Sequence, residues 1–201
     1  MVVRSGVAAM LLPLALLDTG AMVAKAQAEP VRAGSEPVRA GSEPVLALGR
    51  FGAYVQGQVA VTYDAKLVPA GAAAAVAYVA SGNARAYVQL KAQGLLPNRK
   101  YGAHVHNDKC GAKGEDAGPH YQHTQDPVTP STDPKYANAR NEIWLDFTTD
   151  AQGNGSSRSA LDKKFTDRHP HSVVIHAEHT HTGAGHAGQA GARLACLDVD
   201  F

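Results

Sequence analysis

The chain has 201 residues, of which 44% are hydrophobic and 6% aromatic, and its formal net charge is +1. This length suits one globular domain with an appendage. A nearly neutral chain lacks the excess of basic residues that drives binding to phosphate backbones, so the composition excludes a charge-driven nucleic-acid partner.

The first 28 residues are typical of a secretory signal peptide. Arg4 precedes an apolar run at 6–17, and Ala26 and Ala28 form a small-residue cleavage site. The run is too short to cross the hydrocarbon core of a bilayer, which is about 30 Å thick. We therefore expect cleavage after Ala28 and no stable membrane insertion. The expected location is secreted, either extracellular or in the cell envelope or periplasm.

Residues 29–45 contain the unit EPVRAGS twice, followed by a third EPV. Each complete unit contains a proline and a glycine, which cannot sustain a helical seam, so the segment is predicted to be a linker. The folded domain is then expected to span residues 46–201, the size of one ordinary domain.

The periodicity of this domain is two, which is typical of half-buried strands. Apolar and polar residues alternate at 61–68 and again at 84–91. The alanine run at 72–75 follows a glycine and is expected to be the start of a strand or a loop. Further strands are predicted at 100–106, 142–148, 172–177 and 193–199. The predicted fold class is therefore all-β, a sandwich or a barrel.

Cys110 and Cys196 are the two cysteines of the chain. An even cysteine count in an exported protein favours one disulfide, because the destination is oxidising. The chain-entropy model gives such a long loop roughly 4 to 5 kcal/mol of stabilisation. The alternative is two unrelated buried thiols.

His104 and His106 are separated by one residue near the end of a predicted strand. Residues i and i+2 of a strand point to the same face, so the two imidazoles lie side by side and form half of a site for a first-row metal. The alternative is a solvated strand face. Two later histidines, His120 in AGPHYQH and His176 in the apolar SVVIHA, favour the metal site.

The segments GAHVHNDKC, AGPHYQ, SVVIHA and AGARLAC occur in this order, and together they resemble the copper/zinc superoxide dismutase family. The resemblance extends from about Val61 to Val199. It implies an eight-stranded Greek-key barrel or sandwich, immunoglobulin-like, with long metal-site loops.

The resemblance also implies an activity, in which superoxide is converted to oxygen and hydrogen peroxide by Cu(II)/Cu(I) cycling. It assigns His120 to proton transfer beside the copper, Arg193 to attraction of the anion, and Cys110 and Cys196 to the family disulfide. The copper ligands that it implies are His104, His106, His120 and His176. The alternatives are a non-catalytic copper-binding or copper-delivery domain of the same fold, and a structural β-domain with incidental histidines.

The zinc site of the family has no clear counterpart. Its aspartate position falls on Ile143, and two histidine positions fall on Arg140 and Val128. None of these binds zinc, which takes four protein ligands in structural sites, so a copper-only protein is favoured and zinc is doubtful. A candidate second metal site would have to use the nearby residues His123, Asp126 and Asp146.

The segment HAEHTHTGAGH, residues 176–186, contains three histidines beyond His176. It begins a loop that is shorter than the charged loop of the family. For His179, His181 and His186 four interpretations stay open: a solvated loop, copper capture, a remodelled metal site, or proton supply by imidazoles that titrate near pH ~6.5. Glu178 is a candidate for orienting a copper histidine. A homodimer is compatible with the sequence but is not derivable from it.

Overall fold

The structure is a computed structural model that describes residues 44–80 and 86–201. The predicted signal peptide and the predicted linker as far as residue 43 lie outside these described residues. Within them, nine strands follow one another along the chain, with one 3-10 turn at Gly114–Ala117. The strands are β1 Val45–Arg50, β2 Ala60–Thr62, β3 Ala73–Ala80, β4 Ala86–Gln93, β5 Lys100–His106, β6 Phe147–Thr148, β7 Gly155–Leu161, β8 Ser172–His176 and β9 Arg193–Asp198.

The strands form two antiparallel sheets that make a Greek-key sandwich. One sheet has the order β1-β3-β4-β7 and the other β2-β9-β8-β5-β6. The all-β prediction is confirmed. The sheets are not closed into a barrel, and nine strands are present in the described part of the chain where the family resemblance implies eight.

The two sheets differ in how their faces are covered. In β4 the side chains alternate between the core and the solvent side, as a strand with one covered face requires. In β8 all five residues are buried, because the long segments that follow β5 cover the outer face of this sheet. The five-stranded sheet is therefore buried on both of its faces along β8.

Two strand predictions need correction, and the strands β1 and β7 were not predicted. The strand predicted at 61–68 ends at Thr62, because the Asp64 carboxylate accepts hydrogen bonds from the backbone of Lys66 and Leu67 and turns the chain. The segment predicted at 142–148 is a strand only at its last two residues. The serine-rich strand β7 is not predicted at all, since its side chains give little apolar alternation. The alanine run, by contrast, does start a strand, β3.

The predicted disulfide is confirmed. Cys110 and Cys196 are bonded, with their Cα atoms 5.7 Å apart and a sequence separation of 86. The bond ties the segment after β5 to β9. Cys196 itself packs in a small buried cluster with Ala117 and Val174. Within the described residues, no helix has the length and apolar character needed to cross a membrane.

Candidate metal centre

Four imidazoles meet on the outer face of the five-stranded sheet. His104 and His106 come from β5, and His176 comes from β8, where it pairs with Gly102 and is therefore the diagonal neighbour of His104. His120 is brought to the same place by a bridge between its backbone and that of His106. One potential ligand atom from each of the four histidines lies within 4.8 Å of the others. The structure thus assembles all four histidines that the resemblance assigns to copper.

Hydrogen bonds orient two of these rings toward a common point. His106 donates from Nδ1 to the Gly118 carbonyl at 3.0 Å, and His176 Nδ1 faces the Gly191 carbonyl at 3.5 Å. The Nε2 atoms of both rings then carry lone pairs, and they lie 3.3 Å apart. Two lone pairs at this distance repel each other unless a proton or a cation lies between them.

His104 is the third ring of the cluster. Its ring is fully buried, and its Nδ1 atom has no hydrogen-bond partner. A buried polar atom without a partner costs free energy, and native proteins rarely tolerate one. Coordination of a metal ion by Nδ1 removes this cost, so the donor set fits a first-row metal bound by imidazoles.

A buried carboxylate holds the fourth ring. Glu142 is 2% exposed, and its Oε2 atom accepts hydrogen bonds from His120 Nδ1 at 2.9 Å and from Trp144 Nε1 at 2.7 Å. Its Oε1 atom accepts from Gln122 Nε2 at 2.7 Å. The proton of His120 therefore lies on Nδ1, and Nε2 is left free as a ligand.

Glu142 was absent from the predicted site. The signal for it is present in NEIWLDF, where Glu142, Trp144 and Asp146 alternate with the buried apolar residues Ile143 and Leu145. This alternation indicates a strand-like segment with polar groups on one side. It does not reveal that this side faces His104 and His120, which depends on the isolated bridge between His104 and Trp144.

Burial keeps the imidazoles of His104, His106 and His176 neutral in the metal-free protein. It lowers the pKa of His104 and of His106 well below 6.5, and the charge of neighbouring histidines lowers both further. The pKa of His176 falls to about 3, with burial as the first cause and His120 as the second. Metals bind the neutral form of imidazole, so at neutral pH these rings are ready to coordinate one.

Arg193 and the metal cluster open onto one cavity. It has a volume of about 560 Å³, and its walls include His120, His176, Glu142 and Arg193. Arg193 is the first residue of β9 and pairs with His176 across the sheet, which explains why it reaches the site. Its Nη1 atom donates to the Gly114 carbonyl at 2.8 Å, so the guanidinium is held in place and its other donors remain for an anion.

The structure does not assemble the candidate second metal site. His123 packs its ring against Tyr121 and Phe165. Asp126 accepts hydrogen bonds from Ser131 and from the Val128 backbone. Asp146 accepts one hydrogen bond from the Thr180 hydroxyl and one from its backbone N–H. Outside the four-histidine cluster, the only group of three potential ligands among the described residues is Cys110, Cys196 and Asp198, and its sulfurs are already bonded to each other.

The additional histidines of the segment 176–186 do not join the cluster. His179 Nε2 donates to the Phe147 carbonyl at 3.0 Å. His181 is exposed and contacts Glu178, so this glutamate does not orient a ligand of the cluster. His186 is exposed and contacts Gln189. Besides His176 itself, Thr180 is the residue of this segment that contacts the cluster, and its Oγ1 atom lies 2.7 Å from His104 Nε2.

Solved structures share this fold at low sequence identity. They include a Cu/Zn superoxide dismutase from Brucella abortus, with 18% identity, a TM-score of 0.52, and coverage of 79% of this chain and 100% of that one. The clock protein EA4 has 16% identity, a TM-score of 0.51, and coverage of 80% and 94%. A double mutant of a superoxide dismutase-like protein from Bacillus subtilis has 17% identity, a TM-score of 0.50, and coverage of 79% and 97%.

A search of curated protein sequences gives no match. The family model described as copper/zinc superoxide dismutase, in contrast, matches residues 72–197, which is more than half of the chain. This range contains the four histidines, both cysteines and Arg193. The chain belongs to the copper/zinc superoxide dismutase family.

Proposed function

We propose that this protein is a superoxide dismutase that binds copper through His104, His106, His120 and His176. Two superoxide ions and two protons would give one oxygen and one hydrogen peroxide. The observation that carries the proposal is the cluster of four histidines, whose potential ligand atoms lie within 4.8 Å of one another and in which the buried Nδ1 atom of His104 has no hydrogen-bond partner. When bound, copper supplies reversible one-electron chemistry between Cu(II) and Cu(I), and imidazole is a suitable ligand for it.

Arg193 is the residue that we assign to superoxide. It provides a fixed positive charge at the wall of the cavity, where a nearly neutral protein has no strong overall field to attract an anion. Its planar guanidinium offers several N–H donors, which suit a small anion held beside the metal. Local attraction of this kind raises the rate of encounter and weakens at high ionic strength.

His120 is the residue that we assign to proton transfer. Glu142 keeps one proton on Nδ1 of this ring at 2.9 Å. The Nε2 atom is therefore free, and it would serve as the copper ligand and as the atom that carries a proton to the product. The side chain is less buried than those of His104 and His106, which suits a group that exchanges protons with solvent.

The metal content that we propose is copper without zinc. The Nδ1 atom of His120 donates to Glu142 and is therefore not free to bind a second metal. The zinc aspartate position is occupied by Ile143, which is buried and apolar. We assign to the Glu142 carboxylate the role of orienting His120 through the hydrogen bond to Nδ1.

We also propose export through the N-terminal signal peptide. The disulfide supports an oxidising destination, such as the extracellular space or the periplasm. The competing function is a non-catalytic copper-binding or copper-delivery domain. It would need the same four histidines but would not need Arg193.

Metal analysis and dismutation assays on the mature protein test the proposal. We expect about one copper and no zinc per chain, and activity that is lost in His120→Ala and reduced in Arg193→Ala. Arg140→Ala removes an exposed arginine of a different cavity and is the matched control. Copper-loaded protein with no activity above that of the metal-free protein would favour the delivery function, and one zinc per chain would contradict the copper-only assignment.

A further inference from the structure

We propose that Thr180 is a positioning residue that links the Asp146 carboxylate to His104 and thereby selects the nitrogen of His104 that faces the metal. The inference rests on the metal site of the proposed function. Within the histidine-rich segment 176–186, the residue with this role is thus a threonine.

The direction of the hydrogen bonds follows from the chemistry of the three groups. A carboxylate has only acceptors, so the Thr180 hydroxyl donates its single proton to Asp146 Oδ1 at 2.7 Å. The same oxygen of Thr180 must then accept from His104 Nε2, which lies 2.7 Å away. The proton of His104 is therefore on Nε2, and Nδ1 carries the lone pair.

The hydroxyl is needed because the carboxylate does not reach the ring by itself. Asp146 Oδ1 lies 3.9 Å from His104 Nε2, which is too long for a hydrogen bond. Thr180 fills this gap. Its backbone N–H also donates to Asp146 Oδ2 at 2.7 Å, and the Ala103 N–H donates to Oδ1 at 3.2 Å. Three donors thus hold the carboxylate in one orientation.

The segment that carries Thr180 is itself fixed. The neighbouring His179 donates to the Phe147 carbonyl at 3.0 Å, at the strand that follows Asp146. The His181 backbone donates to the Gln189 carbonyl, which closes the loop on the other side. The hydroxyl is therefore placed in advance, and metal binding does not have to order it.

Loss of the hydroxyl would leave Nε2 of a fully buried ring without an acceptor. The ring would then lose the hydrogen bond that holds its proton on Nε2. A proton on Nδ1 instead prevents this nitrogen from binding the metal. Groups that orient a metal-bound histidine typically change metal affinity about 10- to 100-fold when they are removed. We expect a loss in this range for Thr180→Val.

The test compares Thr180→Val with Thr180→Ser, which restores the hydroxyl, and with Thr182→Val, the same change at an exposed position of the same segment. The first measurement is the proton position on His104 in the metal-free protein, from the ¹⁵N chemical shifts of its two ring nitrogens. The signals are assigned by comparison with His104→Gln. The second measurement is Cu(II) affinity by competition with a chelator.

Wild type, Thr180→Ser and Thr182→Val should show the proton of His104 on Nε2 and similar Cu(II) affinities. Thr180→Val should show partial or complete transfer to Nδ1 and an affinity about 10- to 100-fold lower. Unchanged shifts and affinity in Thr180→Val would overturn the proposal. Equal losses in the serine and valine variants would also overturn it, because they would show that the methyl group matters and the hydroxyl does not.

These measurements separate this inference from the proposed activity. A protein that binds Cu(II), shows the expected dependence on Thr180 and yet has no dismutase activity would contradict the activity alone. A wild-type protein with the proton of His104 on Nδ1 would contradict the role of Thr180 whatever its activity.

Discussion

The carboxylate of Glu142 accepts a hydrogen bond from Nδ1 of His120 at 2.9 Å. Two neutral donors, Gln122 Nε2 and Trp144 Nε1, complete its hydrogen bonds at 2.7 Å each. The Glu142 carboxylate is thus buried and already accepts three hydrogen bonds. This arrangement is the physical basis for proposing a copper site without zinc.

Glu142→Gln should reduce both stability and activity. An amide has one oxygen acceptor, whereas the three donors around Glu142 use both carboxylate oxygens. At least one of these donors would therefore face the NH₂ group of the glutamine. A buried donor left without an acceptor costs about 1 to 3 kcal/mol, and we expect a decrease of this size in the free energy of unfolding. Chemical denaturation measures it, and dismutation by copper-saturated protein should fall because His120 is no longer held.

The control for this variant is Glu178→Gln. Glu178 pairs with His181 at the surface, and exposed pairs contribute little to stability. Equal stability of the two variants would contradict the role assigned to Glu142.

Arg193→Ala should slow dismutation about tenfold or more and should make the rate less sensitive to salt. The reason is the loss of local attraction for an anion, an effect that usually spans one to three orders of magnitude in rate. Rates measured across a range of ionic strengths test this. If Arg193→Lys restored the full rate, charge alone would be sufficient, and the proposed use of the planar guanidinium would be wrong.

Removal of the disulfide should destabilise the fold by about 4 to 5 kcal/mol, because the bond closes a long loop. The double variant Cys110→Ala with Cys196→Ala tests this against the oxidised protein in equilibrium denaturation. The buried position of Cys196 adds a small loss of packing to the entropic effect. A loss below 1 kcal/mol would show that the bond does not constrain the unfolded chain as expected.

The metal-free protein should lose stability as the pH falls below about 6.5. The pKa values of His104, His106 and His176 are lowered by burial, so below the ordinary pKa the unfolded chain binds more protons than the folded one. Each buried histidine then contributes a decrease of about 1.4 kcal/mol per pH unit. For His176 the decrease continues until the pH approaches its folded pKa of about 3.

Denaturation of the chelator-treated protein at several pH values measures this slope. The slope should be smaller in His176→Asn, which has one fewer group to protonate. A free energy of unfolding that stays constant between pH 6.5 and 4.5 would contradict the neutral state assigned to these imidazoles.

The sequence predicted the ligand set better than it predicted the strands. His104 and His106 follow from strand periodicity, because a spacing of two places side chains on one face whatever the rest of the fold does. The disulfide follows from a count of two cysteines in a chain that reads as exported. The serine-rich strand β7 was missed because its place in the sheet depends on pairing with β4, which is not visible in its own residues.

By itself, the sequence determined the all-β class and the pair His104 and His106, since both depend on local spacing. The four ordered motifs carried the family resemblance, and that resemblance implied the full set of four histidines. Only the tertiary structure decided that Glu142 holds His120, that Thr180 stands between Asp146 and His104, and that His123, Asp126 and Asp146 are not brought together. Hydrogen-bond partners distant in sequence are chosen by the packing of loops onto the sheet. Residue spacing does not encode that choice.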